Sequence, residues 1–346
     1  MFTASFVITE ECNLSCDYCY MNNRKELMSR DTFDYHYEVT LPFFMDHYNQ
    51  SEYTLDLFGG EPLQNWFMIA HIANKTKDDP RLKSIRLMTN GLLLNDQRVN
   101  FIKRHEIKAS LSFDGLWAQY LKTYVSLKPR LQRLFNSCSV CITPRHMNMA
   151  ENFRFLMDEF QLIPQFKIVR DNIWSESDVK NFKLNLDELE KVFFEYFDKG
   201  LLHFPSLLEH RLLMLLESAA HQISKIRCFV GLNGAAFAPN GKVYPCARFL
   251  TDDYYPIFDN VVLKENLDII DDTAKLFSND CQKCELGDHC DYMCLHQEML
   301  NNGVIKNVCE IYKAIESKVL DINDRMRENT EWRRYLQEQT RRVRNG

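Results

Sequence analysis

The sequence predicts an α/β fold. A partial barrel of about six βα units is followed by a small cysteine-rich module and a C-terminal helix. Three observations carry this expectation. Six short apolar runs alternate with helical stretches over the first 170 residues or so, the pattern of parallel strands joined by crossover helices. From about residue 221 the texture changes to short turns with dense cysteines. After Cys309 one long helix reads through to the end.

Residues 2–9 alternate and read as the first strand, with the first cysteines directly behind it. A helix is expected over 30–48. A strand follows over 53–58, ended by Gly59-Gly60, and a helix over 65–75. The third strand covers 85–89 and turns at Asn90-Gly91. A helix over 97–105 leads to a strand over 108–113, closed by Asp114-Gly115. The last pair of strands covers 139–143 and 165–169, with a helix over 149–160 between them. Helices over 186–196 and 209–218 close the domain. The boundaries expected are 1–220 for the barrel, 221–320 for the cysteine-rich module and 321–346 for a basic helical tail. Seven arginines stand against three glutamates between Arg325 and Arg344, the pattern of a solvated helix face. The ends of parallel strands are where barrels place their chemistry. The first cysteine set, Gly59-Gly60, Thr89-Asn90 and Ser112 to Asp114 all fall at predicted strand ends.

The chain has 346 residues, enough for one large domain or a domain with a smaller module. Apolar residues make up 45% and charged residues 26%, a globular balance, and the net charge of −6 argues against a nucleic-acid footprint. No apolar run reaches membrane-spanning length, so no membrane partner is expected. The start, Met1 to Ser5, lacks a basic segment and a cleavage site, and a cytoplasmic location is expected. Without a secretory signal, the twelve cysteines point to metal ligation rather than disulfides.

Ten of the twelve cysteines fall in two sets. The first is Cys12, Cys16 and Cys19, spaced C-x3-C-x2-C. Three thiolates on one loop can hold three irons of a four-iron cube and leave the fourth for an outside ligand. A structural zinc site would call for four closed ligands. With Tyr18 before the third cysteine, the segment resembles the radical S-adenosylmethionine (SAM) superfamily. That resemblance implies a partial (β/α)6 TIM-like barrel and a [4Fe–4S] cluster whose open iron is chelated by the amino and carboxylate groups of SAM. Cleavage of SAM then gives a 5′-deoxyadenosyl radical that abstracts hydrogen from a substrate. Tyr18 would lie near the adenine.

Gly59-Gly60-Glu61-Pro62 matches the GGEP motif of the family, which receives the SAM amino group. Glycines let backbone approach closely, and Glu61 can offset the ammonium charge. The run Leu111-Ser112-Phe113-Asp114-Gly115 resembles the strand whose serine meets the ribose, and Thr89-Asn90-Gly91 matches the third-strand turn. The chain departs from the pattern at one position. Relatives often carry an arginine twelve residues after that serine, near SAM; here Tyr124 stands there.

The second set is Cys228, Cys246, Cys281, Cys284, Cys290, Cys294 and Cys309. Its spacing matches the seven-cysteine SPASM pattern, which implies two auxiliary [4Fe–4S] clusters. By position, Cys281, Cys284, Cys290 and Cys309 would hold the outer cluster, and Cys228, Cys246 and Cys294 the inner one. A pair of structural zinc sites is the alternative from spacing alone. Some relatives add an inner ligand six residues after the first; here that residue is Gly234.

SPASM enzymes mostly modify peptides or proteins. The resemblance therefore implies a polypeptide substrate and an electron donor such as flavodoxin or ferredoxin. The leading expectation is a maturase forming a thioether, C–C or related crosslink. Formylglycine formation, as in anaerobic sulfatase maturases, is a second; those enzymes carry an aspartate just after the second SPASM cysteine, where this chain has Ala247. Dehydrogenation of a small molecule or carbohydrate is a third, and a non-catalytic Fe–S electron carrier a fourth. Cys138 and Cys141 lie on one expected strand with opposite-facing side chains, which suits ordinary packed thiols better than a shared metal. Arg170 and Arg248 sit at strand ends where either could meet a carboxylate. The ten histidines, His289 and His296 among them, show no ligand pairing.

Overall fold

The computed structural model describes residues 1–21, 23–171, 173–199, 230–275, 283, 284, 286, 294–301, 303 and 305–345. The helix expected over 209–218 and the residues Cys228, Cys281, His289 and Cys290 lie outside these. Two compact units divide the described chain. The first takes Met1–Phe113, Ala118–Asn136 and residues 230–275; the second takes Asp114–Trp117, 137–199 and the described residues from 283 on.

The first unit is built on four parallel strands: β1 (Phe2–Thr9), β2 (Tyr53–Gly59), β3 (Leu82–Thr89) and β4 (Lys108–Ser112). Phe6 pairs with Leu57, Leu55 with Ile85 and Leu87 with Ala109. Phe6, Leu55, Leu57, Leu87 and Leu111 are all buried. Near-continuous apolar strands of this kind suit a sheet covered on both faces. Helix α1 (Arg30–Tyr35) begins at Ser29, whose Oγ accepts the Thr32 N–H at 3.0 Å. It passes through a π turn (His36–Thr40) into α2 (Leu41–His47). Pro42 cannot donate a rung to Glu38, and the wide turn falls on the residues just before it. Helices α3 (Trp66–Thr76), α4 (Asp96–Arg104) and α5 (Leu121–Leu134) complete this part. Helix α5, which the sequence reading did not include, runs through Pro129, a residue that ordinarily breaks one.

In the second unit, β5 (Ser137–Ile142) and β6 (Ile163–Ile168) pair in parallel, with Val140 opposite Phe166. Helix α6 (Met149–Phe155) is capped by the Asn148 side chain and again ends in a π turn. Helix α7 (Glu176–Asp198) opens with a Ser175–Asp178 capping box and is twice the expected length. Its polar first half hides the period, but Val179, Phe182, Leu186, Leu189 and Phe193 are buried at helical spacing. The single terminal helix expected from sequence is two, Lys306–Met326 and Thr330–Asn345. The break is at Asn329, whose Oδ1 accepts the N–H groups of Glu331 and Trp332 at 2.9 and 3.0 Å, which starts a new helix. Glu190 on α7 is buried and binds Lys318 at 2.6 Å and also Arg325, tying α7 to Lys306–Met326.

The chain after residue 230 returns to the first unit. Strand β7 (Gly234–Phe237) adds in parallel to the free edge of β1, with Ala4 opposite Ala235 and Phe6 opposite Phe237. The rings of Phe6 and Phe237 stack at 4.7 Å. Short antiparallel strands β8 (Val243–Tyr244), β9 (Phe258–Asp259) and β10 (Val261–Val262) extend the sheet. Among the described residues no helix is long and apolar enough to cross a membrane.

Candidate cluster and cofactor site

The residues after β1 leave the sheet as a loop whose base is closed like a hairpin. Glu10 N–H donates to Glu26 O at 2.8 Å and Met28 N–H to Ile8 O at 2.9 Å. Asn65, buried behind the loop, donates its amide to Ile8 O and Met28 O at 2.8 and 3.1 Å. The loop between carries Cys12, Cys16 and Cys19. Cys12 N–H is held by Asn23 Oδ1 at 2.8 Å, and its sulfur accepts the Leu14 N–H at 3.4 Å. Cys19 N–H donates to Cys16 O at 3.1 Å, turning the chain between the last two thiols. Cys12 and Cys16 are half-buried and Cys19 is exposed.

Gly59 and Gly60 lie against this loop. Gly60 N–H donates to Thr9 O at 2.9 Å, and Glu61 N–H to Glu11 O at 2.8 Å. A Cβ on Gly59 would fall 1.9 Å from Thr9 O, and one on Gly60 would fall 2.3 Å from Glu11 O. Gly59 also has a φ of +141°. Only glycine allows so close an approach of two backbones. The paired glycines are thus a packing requirement between β2 and the cysteine loop.

Glu61 is 1% exposed, and its carboxylate accepts three bonds: from Leu63 N–H at 2.9 Å, Thr89 Oγ1 at 2.7 Å and Asn90 N–H at 2.7 Å. Burial pushes its acid equilibrium up, and the three donors pull it back toward the ionised form. Thr89 and Asn90 end β3, so Glu61 ties the end of β2 to the end of β3. Asn90 continues the link: its side-chain amide donates to Asn13 Oδ1 in the cysteine loop at 2.8 Å. Its carbonyl accepts the Tyr124 hydroxyl at 2.9 Å. The Cys12 thiol is pushed up by burial, and the Glu61 charge and Cys19 add to that. Metal coordination would overcome this, because a coordinated thiol is deprotonated. Three thiols of soft donor chemistry on one backbone-pinned loop fit an iron–sulfur cluster with one open iron. No three Cys, His, Asp or Glu among the described residues converge on a single-ion site. A four-iron cube takes its thiolates on separate irons, so its fit does not depend on such convergence.

Tyr18 and Ser112 are half-buried residues of the same unit. Phe58, just before Gly59, stacks on Tyr20 at 6.4 Å, and the Arg248 guanidinium lies 4.5 Å over the Tyr20 ring. Cys246 precedes the short helix Ala247–Leu250 that carries Arg248. Within the second unit, Cys294 precedes the helix Leu295–Asn301, Cys309 lies in the first turn of Lys306–Met326, and Cys284 is half-buried. Arg170 packs on Tyr312, donating to its hydroxyl at 3.1 Å. Cys138 is buried while Cys141 is half-buried, as alternation on β5 requires. The Asp114-Gly115 turn wraps the buried Asn152, which donates to Asp114 O at 3.0 Å and accepts from Leu116 N–H at 2.9 Å. Asn13, Asn23, Asn65 and the role of Tyr124 were not found from sequence. The signal for Asn65 was an amide three residues after the GGEP proline, too short a cue by itself.

A parallel α/β unit with a three-thiol loop and a buried acid at neighbouring strand ends has the donor chemistry of an iron–sulfur site. Comparison with known proteins extends this. Residues 3–147 match a family model for a 4Fe-4S single cluster domain. The chain is 22% identical over 360 aligned residues to the radical SAM cyclopropyl synthase TigE of Paramaledivibacter caminithermalis, covering 91% of this chain and 73% of that protein. It is 22% identical over 342 residues to the antilisterial bacteriocin subtilosin biosynthesis protein AlbA of Bacillus subtilis, covering 88% and 70%. The structure of native anSMEcpe with bound AdoMet and the Cp18Cys peptide superposes with a TM-score of 0.66 at 16% identity, covering 94% of this chain and 99% of that one; the two share their fold. Residues 3–147 thus resemble a 4Fe-4S domain, and the chain is similar over most of its length to a radical SAM synthase and to a bacteriocin biosynthesis protein.

Proposed function

We propose that this enzyme modifies a peptide or protein oxidatively, forming a thioether, C–C or related crosslink. Cys12, Cys16 and Cys19 would hold the cluster that binds SAM. Gly59, Gly60 and Glu61 would face the SAM amino group, Asn90 and Ser112 its sugar side and Tyr18 its adenine. When bound, cluster and SAM together supply a 5′-deoxyadenosyl radical that takes hydrogen from the substrate. The chain's own residues pin the loop, fix the ends of β2 and β3 against it and give the buried Glu61 three hydrogen-bond donors. The observation that carries the reading is the shared hydrogen-bond net that joins Glu61, Asn90 and Asn13 to the cysteine loop. The peptide bound by anSMEcpe and the bacteriocin pathway of AlbA support a polypeptide substrate.

Cys281, Cys284, Cys290 and Cys309 are assigned to an outer auxiliary [4Fe–4S] cluster, and Cys228, Cys246 and Cys294 to an inner one. Gly234, where some relatives place a further inner ligand, is a strand residue opposite Thr3 and offers no side-chain donor. The inner cluster is therefore assigned an iron without a fourth cysteine, which Mössbauer spectroscopy of the reconstituted protein tests. Flavodoxin or ferredoxin would deliver the electron, in the cytoplasm. The central test is anaerobic reconstitution with SAM and dithionite. Formation of 5′-deoxyadenosine is expected, and its complete absence overturns the reading. Mass spectrometry of a candidate peptide after the reaction should show loss of two hydrogens; conversion of Cys or Ser to formylglycine instead would move the reading to that chemistry.

A further inference from the structure

Asn90 is fixed on three sides. Its N–H is held by Glu61 and its side-chain amide by Asn13 of the cysteine loop. The third hold, on its carbonyl, comes from the Tyr124 hydroxyl at 2.9 Å. Tyr124 is 2% exposed, and its ring stacks on Phe113 at 4.1 Å with 23° between planes. Phe113 directly follows Ser112. One side chain on α5 thus grips the turn after β3 by its hydroxyl and packs by its ring against the residue after β4. The turn is further locked by Gly91 N–H on Thr89 Oγ1 at 3.0 Å and Leu92 N–H on Asn90 Oδ1 at 3.0 Å.

We propose that Tyr124 is a positioning residue for SAM. It touches no substrate; it acts through Asn90 and Phe113, holding the ends of β3 and β4 at the separation that the bound cofactor needs. The hold belongs to the protein and is in place before SAM arrives. This rests on the reading that Asn90 and Ser112 contact SAM. A phenol-to-carbonyl bond buried from water costs most when only one partner is left, because the orphaned Asn90 carbonyl has no solvent to turn to. A loosened turn can relax to find a partner, and binding must then reorder it.

The test is Tyr124→Phe in the anaerobically reconstituted full chain, which keeps the ring on Phe113 and removes only the hydroxyl. SAM binding is read by titrating the EPR signal of the reduced cluster, and 5′-deoxyadenosine formation gives KM and kcat for SAM. The expected result is a dissociation constant and KM raised about tenfold. At saturating SAM, kcat and the EPR spectrum of the SAM-bound cluster should match the wild type. Phe113→Leu serves as the second variant. It loosens the packing but leaves the hydroxyl in place, so it should lower the unfolding midpoint more than it raises KM for SAM. Unchanged SAM binding in Tyr124→Phe overturns the proposal. So does a loss confined to iron content, thermal stability and kcat, which is the signature of a purely structural role. Failure of the wild type itself to bind SAM would instead overturn the reading of the site on which the proposal rests.

Discussion

The N–H of Gly60 and the carbonyl of Thr9 meet at 2.9 Å, so the end of β2 and the end of β1 touch backbone to backbone beside the three cysteines. Beside this contact a Cβ on Gly60 would fall 2.3 Å from Glu11 O and 2.7 Å from Glu10 O, which leaves no room for a side chain. Gly60→Ala should therefore push the loop away from β2. Iron and sulfide analysis of the reconstituted variant should show loss of the SAM-binding cluster, with the auxiliary clusters retained.

Glu61 accepts from three donors within the chain. Glu61→Gln replaces one acceptor oxygen by an NH2 group facing donors. About 1–3 kcal/mol of stability should be lost, measured by urea denaturation of the apo chain. The yield of 5′-deoxyadenosine should fall with it. An unchanged denaturation midpoint would show that the carboxylate is not the tie between β2 and β3.

Cys246 and Cys294 are assigned to the inner auxiliary cluster. Cys246→Ser should lower iron content by one cluster while SAM cleavage by the first cluster persists and peptide modification is lost. Loss of all SAM cleavage in that variant would contradict the separate assignment of the two sets.

His36 lies in the core of the first unit, between Phe6 and Phe237, with Nδ1 2.8 Å from Thr40 Oγ1. Burial lowers its pKa from 6.5 to about 4. The folded state thus binds the proton less readily than the unfolded chain. The stability from keeping His36 neutral is full above pH 6.5 and is lost as pH falls from there toward 4. About 2 kcal/mol should disappear between pH 7.5 and 5.0. Urea midpoints at the two pH values check this, and His36→Gln should flatten the difference.

The six parallel strands and the cysteine spacings could be read from the sequence because both are local: alternation marks a strand, and thiol spacing marks a loop. Glu61 was visible as an acid beside two glycines; the bonds its carboxylate accepts from Leu63, Thr89 and Asn90 were not. The tie to β3 could not be seen, since Thr89 and Asn90 lie 28 and 29 residues downstream. Asn65 and Tyr124 escaped for the same reason: each acts on backbone carbonyls far away in sequence. Helix α5 was hidden by Pro129, and strands β8 to β10 are two residues each, too short for any period to register. The break at Asn329 did have a cue, an Asn-Thr-Glu start, overlooked in a stretch that was otherwise strongly helical.

Strand β1 pairs with β2 on one edge and with β7 on the other, so Thr3 waits for Gly234. On the ribosome, the first strand made is among the last to be completed. Until residue 237 emerges, one side of β1 remains an open edge of unpaired backbone groups, which invites pairing with other chains. A contact spanning so much sequence also slows folding. The loop with Cys12, Cys16 and Cys19 hangs directly from that half-built strand, so its base is set on one side only until the later strand arrives.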